Sequence, residues 1–299
     1  MRRTIVAIPI AAIAATAAAW WVTAPTTLTA QDLPDIAPDP VVGERVFWAG
    51  GCASCHATPV AGQRARGGDK LRLGGGLELD TPYGVFRAPN ISPHADGIGG
   101  WTMLDFANAM QRGVSPDGSH YYPSFPYTSY AKADPADIQH LKAYLDTLPA
   151  IAGRVADHSL AFPWSLRRGL GAWKRLYLDD TPIVTAGASD ALVEQGRELV
   201  EGLGHCGECH TERDRLGGLR TDLWLAGAPS LEGEGRVPGI TAAGKNVGSW
   251  SDDDIAYYLE TGFTPEFDAV GGSMVAVQEN MARLTTQDRQ AIAAYLKSL

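Results

Sequence analysis

Two pentapeptides concentrate the reactive side chains of this 299-residue chain: Cys52-Ala53-Ser54-Cys55-His56 and Cys206-Gly207-Glu208-Cys209-His210. Together they contain all four cysteines. C-x-x-C-H is the pattern of c-type haem attachment. The thiols add to the haem vinyl groups, the x-x spacing on a helical turn sets their separation, and the next histidine lies under the iron as proximal ligand. A zinc site would need two cysteines with two histidines, or four cysteines, and no closely spaced histidine pair follows either motif. The reading is therefore two covalently attached haem c groups, held by Cys52, Cys55, Cys206 and Cys209, with His56 and His210 on the irons.

An iron of this type usually takes a sixth ligand from the loop before the terminal helix. In the second half that loop holds Met274, within Gly271-Gly272-Ser273-Met274, and glycines allow backbone to approach a flat cofactor closely. Met281 stands nearer the terminal helix and is expected in the core. Aligning Trp101 with Trp250 sets Phe125 opposite Met274, and phenylalanine cannot bind iron. The nearest competent donor is His120; an open iron, or ligation by Met103 or Met110, are the alternatives. A second histidine on the first iron would lower its potential below that of the His/Met site and order transfer from the first haem to the second. His205 is expected to face solvent or a haem propionate, His94 to lie in a loop, and His140 and His158 to lie on the surface or a helix face.

The elements that must position these residues also occur twice. Gly43-Glu44-Arg45-Val46-Phe47 and Gly196-Arg197-Glu198-Leu199-Val200 have apolar residues at helical spacing before each motif. Downstream, Trp101-Thr102-Met103-Leu104-Asp105 matches Trp250-Ser251-Asp252-Asp253-Asp254, where Thr102 with Asp105 and Ser251 with Asp254 form capping boxes. Those helices should end at Gly113 and Gly262. A further helix closes each half, after Asp134-Pro135 and after Thr285 to Asp288. Residues 38–149 and 186–299 are thus read as two domains, with an aromatic, arginine-containing linker over 150–185 that packs along both.

The remaining composition narrows the function. A length of 299 residues suits about two domains, and 25 Lys+Arg against 34 Asp+Glu gives a net charge of −9. That acidic balance, without basic runs, argues against a nucleic-acid partner. No alternating pattern indicates a substantial sheet, and no glycine-rich nucleotide fingerprint indicates a flavin or nicotinamide site. Met1-Arg2-Arg3 followed by an apolar stretch to about Ala24 reads as an export signal over residues 1–30. The Trp20-Trp21 pair and poor cleavage sites favour an uncleaved membrane anchor over a removed signal peptide. The order of elements in each half resembles a class I cytochrome c domain, so the expected architecture is all-α: two tandem such domains after an N-terminal hydrophobic helix, on the periplasmic side of the inner membrane.

The chain resembles the cytochrome c subunits of membrane-bound periplasmic dehydrogenases that oxidise alcohols and sugars. The resemblance rests on Gly51-Cys52-Ala53-Ser54-Cys55-His56, Thr81-Pro82-Tyr83-Gly84, Ala88-Pro89-Asn90-Ile91-Ser92-Pro93, Tyr122-Pro123-Ser124-Phe125-Pro126-Tyr127-Thr128-Ser129-Tyr130 and the helix ending Ala143-Tyr144-Leu145. It implies a non-catalytic electron carrier, taking electrons from a partner dehydrogenase towards quinone or a terminal oxidase. Well-known members of that family carry three haems, whereas this chain has two motifs, and they place methionine where Phe125 stands. A haem enzyme with an open first iron, such as a dihaem peroxidase or a thiosulfate-oxidising cytochrome, is the competing reading.

Overall fold

The computed structural model describes residues 13–185, 190–230, 235–245 and 247–299. In the first domain α1 (Pro40–Ala49) begins at Asp39, whose carboxylate accepts the Val41 amide, with Pro40 in the first turn. These residues satisfy or dispense with backbone donors that a helix start leaves unpaired. The motif helix α2 (Cys52–His56) follows. A small hairpin pairs β1 (Glu78–Thr81) with β2 (Gly84–Arg87). Helix α3 (Met103–Ala107) opens on the Thr102–Asp105 box, widens into a π turn over Asn108–Arg112 and stops at Gly113 in the left-handed conformation. The short α4 (Tyr127–Tyr130) and terminal α5 (Pro135–Leu145) complete the unit.

The linker contributes β3 (Ser159–Leu160), which adds to β2, and α6 (Leu170–Tyr177). The second domain repeats the first. Helix α7 (Ala191–Arg197) runs into a π turn (Glu198–Leu203), then the motif helix α8 (Gly207–His210) and a minimal β4–β5 pair (Ala228–Pro229 with Arg236–Val237). Helix α9 (Asp252–Thr261) opens on the Ser251–Asp254 box and closes on Gly262. Helices α10 (Met274–Met281) and α11 (Thr286–Lys297) follow. The fold is thus largely helical, with short antiparallel strands that the all-α expectation lacked.

Each domain is built on one helix crossing. A Cβ added at Gly43 of α1 would lie 2.0 Å from the His140 carbonyl oxygen of α5, and one at Gly196 of α7 would lie 1.9 Å from that of Ala291 in α11. Only glycine permits that approach, which brings Val46, Phe47, Ile138 and Leu141 together in one core and Leu199, Val200, Ala291 and Tyr295 in the other.

The expectation of an N-terminal membrane anchor is corrected. Residues 13–22 are helical. Among the described residues no helix is long and apolar enough to cross a membrane; Met1 to Ala12 lie outside them. The Trp pair has another use. Arg168 lies 4.0 Å over Trp20 and Arg175 5.4 Å over Trp21. The same arginines donate to the Trp20 and Val22 carbonyls, occupying acceptors that a helix C-terminus leaves open. The linker reaches both domains: Lys174 donates to the Arg112 and Gly113 carbonyls, Trp173 to the Leu216 carbonyl, and the Ile183 and Val184 amides to buried Glu201.

Candidate haem-binding sites

The two C-x-x-C-H turns have the same surroundings. His56 Nδ1 lies 2.9 Å from the Pro89 carbonyl, and His210 Nδ1 lies 2.7 Å from the Pro238 carbonyl. Burial holds both imidazoles below their ordinary pKa, against the opposing effect of those hydrogen bonds. A neutral ring that donates from Nδ1 keeps a lone pair on Nε2, the form that binds a metal. Burial also pushes Cys52 and Cys206 up to about 12. The chemistry of the donor set therefore fits a haem bound on the Nε2 side of each histidine, with the neighbouring thiols converted to thioethers.

Matching loops present the proline carbonyls. The Gly75 amide donates to the His56 carbonyl and the Gly227 amide to the His210 carbonyl. Both glycines have positive φ, and a Cβ at Gly75 would lie 2.5 Å from the Ala88 carbonyl oxygen. The Ile91 amide donates to the Leu73 carbonyl as the Ile240 amide does to Leu225. Asn90 fixes the first loop, donating to the Ile151 and Gly153 carbonyls and accepting the Ser92 amide. The carbonyl partners were missed at the sequence level. The repeat Pro89-Asn90-Ile91 and Pro238-Gly239-Ile240, at the same spacing as Trp101 and Trp250, is the signal that marks them.

The sixth-ligand candidates differ more. Met274 starts α10, half-buried against the core, whereas Met281 is buried within it. Phe125 packs against the first core and contacts the rings of Tyr121, Tyr127 and Tyr130. Met110 is buried in the core, and Met103 is half-buried at the start of α3. His120 is buried; its Nε2 lies 2.9 Å from the Thr23 carbonyl, and its Nδ1 has no hydrogen-bond partner. Burial, with Lys174 and Arg168 nearby, lowers its pKa. A neutral ring donating from Nε2 has its lone pair on Nδ1.

His205 is half-buried. Its backbone lies at φ +40, its ring packs on Tyr130, and its Nε2 lies 3.3 Å from the Gly50 carbonyl. That carbonyl also accepts from the Tyr130 hydroxyl at 3.2 Å. The Nδ1 atoms of His94, His140 and His158 accept the Asp96, Asp39 and Arg87 amides.

Each motif turn contacts the opposite domain, with near two-fold reciprocity. Ser54, third residue of the first motif, accepts from Asn280 on α10. Glu208, third residue of the second, accepts from Ser129 on α4 and pairs with Arg213. Around this seam Lys70 pairs with Glu279, and Arg45 with Asp288. Among the described residues, no group of three or more His, Cys, Asp or Glu side chains converges to hold a bare metal ion.

Comparison with known proteins matches this geometry. The sequence model of the cytochrome c family fits residues 41–149 and again 193–299. A diheme c-type cytochrome of Cereibacter sphaeroides is 49% identical over 298 residues, covering 99% of this chain and 98% of that protein. The fructose dehydrogenase cytochrome subunit of Gluconobacter japonicus is 35% identical over 261 residues, covering 86% of this chain but 52% of its own length. The gluconate 2-dehydrogenase cytochrome c subunit of Pantoea cypripedii is 33% identical over 275 residues, covering 86% of this chain and 58% of that protein. The chain thus spans nearly all of the first relative and little more than half of the other two.

Proposed function

The chain belongs to the cytochrome c family and carries two covalently attached haem c groups for electron transfer, and from that premise we propose that it accepts electrons from a periplasmic dehydrogenase and passes them towards quinone or a terminal oxidase. The observation that supports the relay is the contact just ahead of the two motifs, where His205 reaches the Gly50 carbonyl that Tyr130 also reaches. Contact between the segments leading into the attachment turns favours rapid internal transfer. The dehydrogenase as donor is supported by similarity to the two dehydrogenase cytochrome subunits named above.

In this proposal Cys52, Cys55 and His56 hold the first haem and Cys206, Cys209 and His210 the second, with Met274 as the second iron's sixth ligand. His120 is the proposed sixth ligand of the first iron. Ligation would use the lone pair on its unpartnered Nδ1, or would require Nε2 to leave the Thr23 carbonyl. Low-temperature EPR of the oxidised protein and of His120→Ala tests this. Two low-spin signals, one turning high-spin in the variant, are expected. An unchanged spectrum would remove His120 as ligand, and a high-spin signal already in the parent would mean an open first iron and favour the enzyme reading.

A further inference from the structure

The ligand loops of both domains begin with the same tight hairpin, and they differ at its tip. In the first, the Ser115 amide donates to the Ser119 carbonyl, the Gly118 amide to the Ser115 carbonyl and the Tyr121 amide to the Gly113 carbonyl. In the second, Thr264, Phe267 and Val270 donate to Asp268, Thr264 and Gly262 in the same pattern. The tip residue lies at φ +80 in Gly118 and φ +66 in Phe267. Glycine adopts that conformation without strain, whereas a bulky side chain there is an outlier that points to a function. The Phe267 side chain is not held by packing, since the residue is 80% exposed. Phe263 and Tyr257 of the same domain are also exposed, as is Val275, the residue after Met274.

The corresponding face of the first domain is covered by the chain itself. Arg167 donates to the His120 carbonyl and lies over Tyr122, and Lys174 lies over Tyr127. A basic segment thus seats on the first ligand loop. The second loop carries more negative charge. Residues 252–282 hold seven acidic side chains and no lysine, arginine or histidine, and residues 186–299 hold 18 acidic against nine basic residues. Glu266 and Asp268 flank Phe267 and are exposed.

We propose that the Phe267 hairpin, with its acidic rim, is the docking face for an electron acceptor, a redox protein presenting a basic rim around its own cofactor. This rests on the electron-carrier reading. Phe267 is the apolar anchor, and Glu266 and Asp268 steer the encounter. One electron passes from the reduced protein to the ferric partner, which becomes ferrous; no proton or group is transferred.

The test mixes the reduced holoprotein with a ferric monohaem cytochrome c carrying a lysine ring, and separately with an acidic one, in stopped flow over a range of salt. Phe267→Gly, which installs the first domain's tip residue, should lower the second-order rate with the basic partner by about fivefold or more at low salt. It should leave the visible spectrum and reduction by ascorbate unchanged and keep or raise Tm. Glu266→Gln with Asp268→Asn should flatten the salt dependence. A Phe267→Gly rate within about twofold of the parent, or faster transfer to the acidic partner, overturns the docking face. A parent protein that ascorbate cannot reduce overturns the electron-carrier reading as well.

Discussion

His56 and His210 each engage a proline carbonyl through Nδ1, which sets the ring tautomer and leaves the lone pair on Nε2. Such a partner also raises ligand basicity, so the two proximal sites are tuned alike. The two sites differ at the proposed sixth-ligand positions, with Met274 in the second domain and Phe125 at the equivalent place in the first. Met274→Ala should convert the second haem from low-spin to high-spin, lower its potential and leave the first haem's EPR signal in place. Two unchanged low-spin signals would rule Met274 out. The two attachment motifs are legible from C-x-x-C-H alone, because covalent attachment requires those atoms at that local spacing. The proline carbonyls are not, since a backbone oxygen 33 residues from His56 leaves no side-chain signature.

At the scale of elements, each domain depends on a helix pair that touches through glycine. A methyl group at Gly43 or Gly196 would collide with backbone, which cannot move aside as a flexible side chain can. Gly43→Ala or Gly196→Ala should therefore each cost about 3 kcal/mol, read as a loss of unfolding free energy in denaturant titration of the holoprotein. The capping boxes at Thr102 and Ser251 and the stops at Gly113 and Gly262 were readable in advance, because caps are local hydrogen-bond chemistry. The π turns after α3 and α7 carry no comparable local signature. The N-terminal helix shows the limit of composition: apolar residues and a Trp pair suit a membrane, but Arg168 and Arg175, about 150 residues away, bind the described end of that helix.

Across the whole molecule, the seam between domains contains an ion pair, Arg45 with Asp288, whose members come from opposite ends of the chain. Asp288 also caps α11 through Thr285 and accepts from Gln195. Burial alone would raise its carboxyl, but Arg45, Thr285 and Gln195 outweigh that effect and hold it below the ordinary carboxylate value. The folded carboxyl therefore binds its proton less tightly than the unfolded one. Its stabilisation is complete above about pH 4 and is lost as pH falls through the depressed folded pKa. Asp288→Asn should cost about 2 kcal/mol at neutral pH. The difference in Tm between parent and variant should shrink on acidification below about pH 4; a difference independent of pH would mean that Asp288 acts only as a cap.

The sequence by itself determined the two haem motifs, the duplicated helices and the exchange of Phe125 for Met274, because each is encoded by residues close together in the chain. Tertiary structure decided how the copies face one another. It placed Gly50 beside His205, Ser54 beside Asn280 and Glu208 beside Ser129, laid a basic linker over one ligand loop and left the other open with Phe267 at its tip. Those relations join residues up to 226 positions apart, and only packing of the complete chain brings such distant groups into contact.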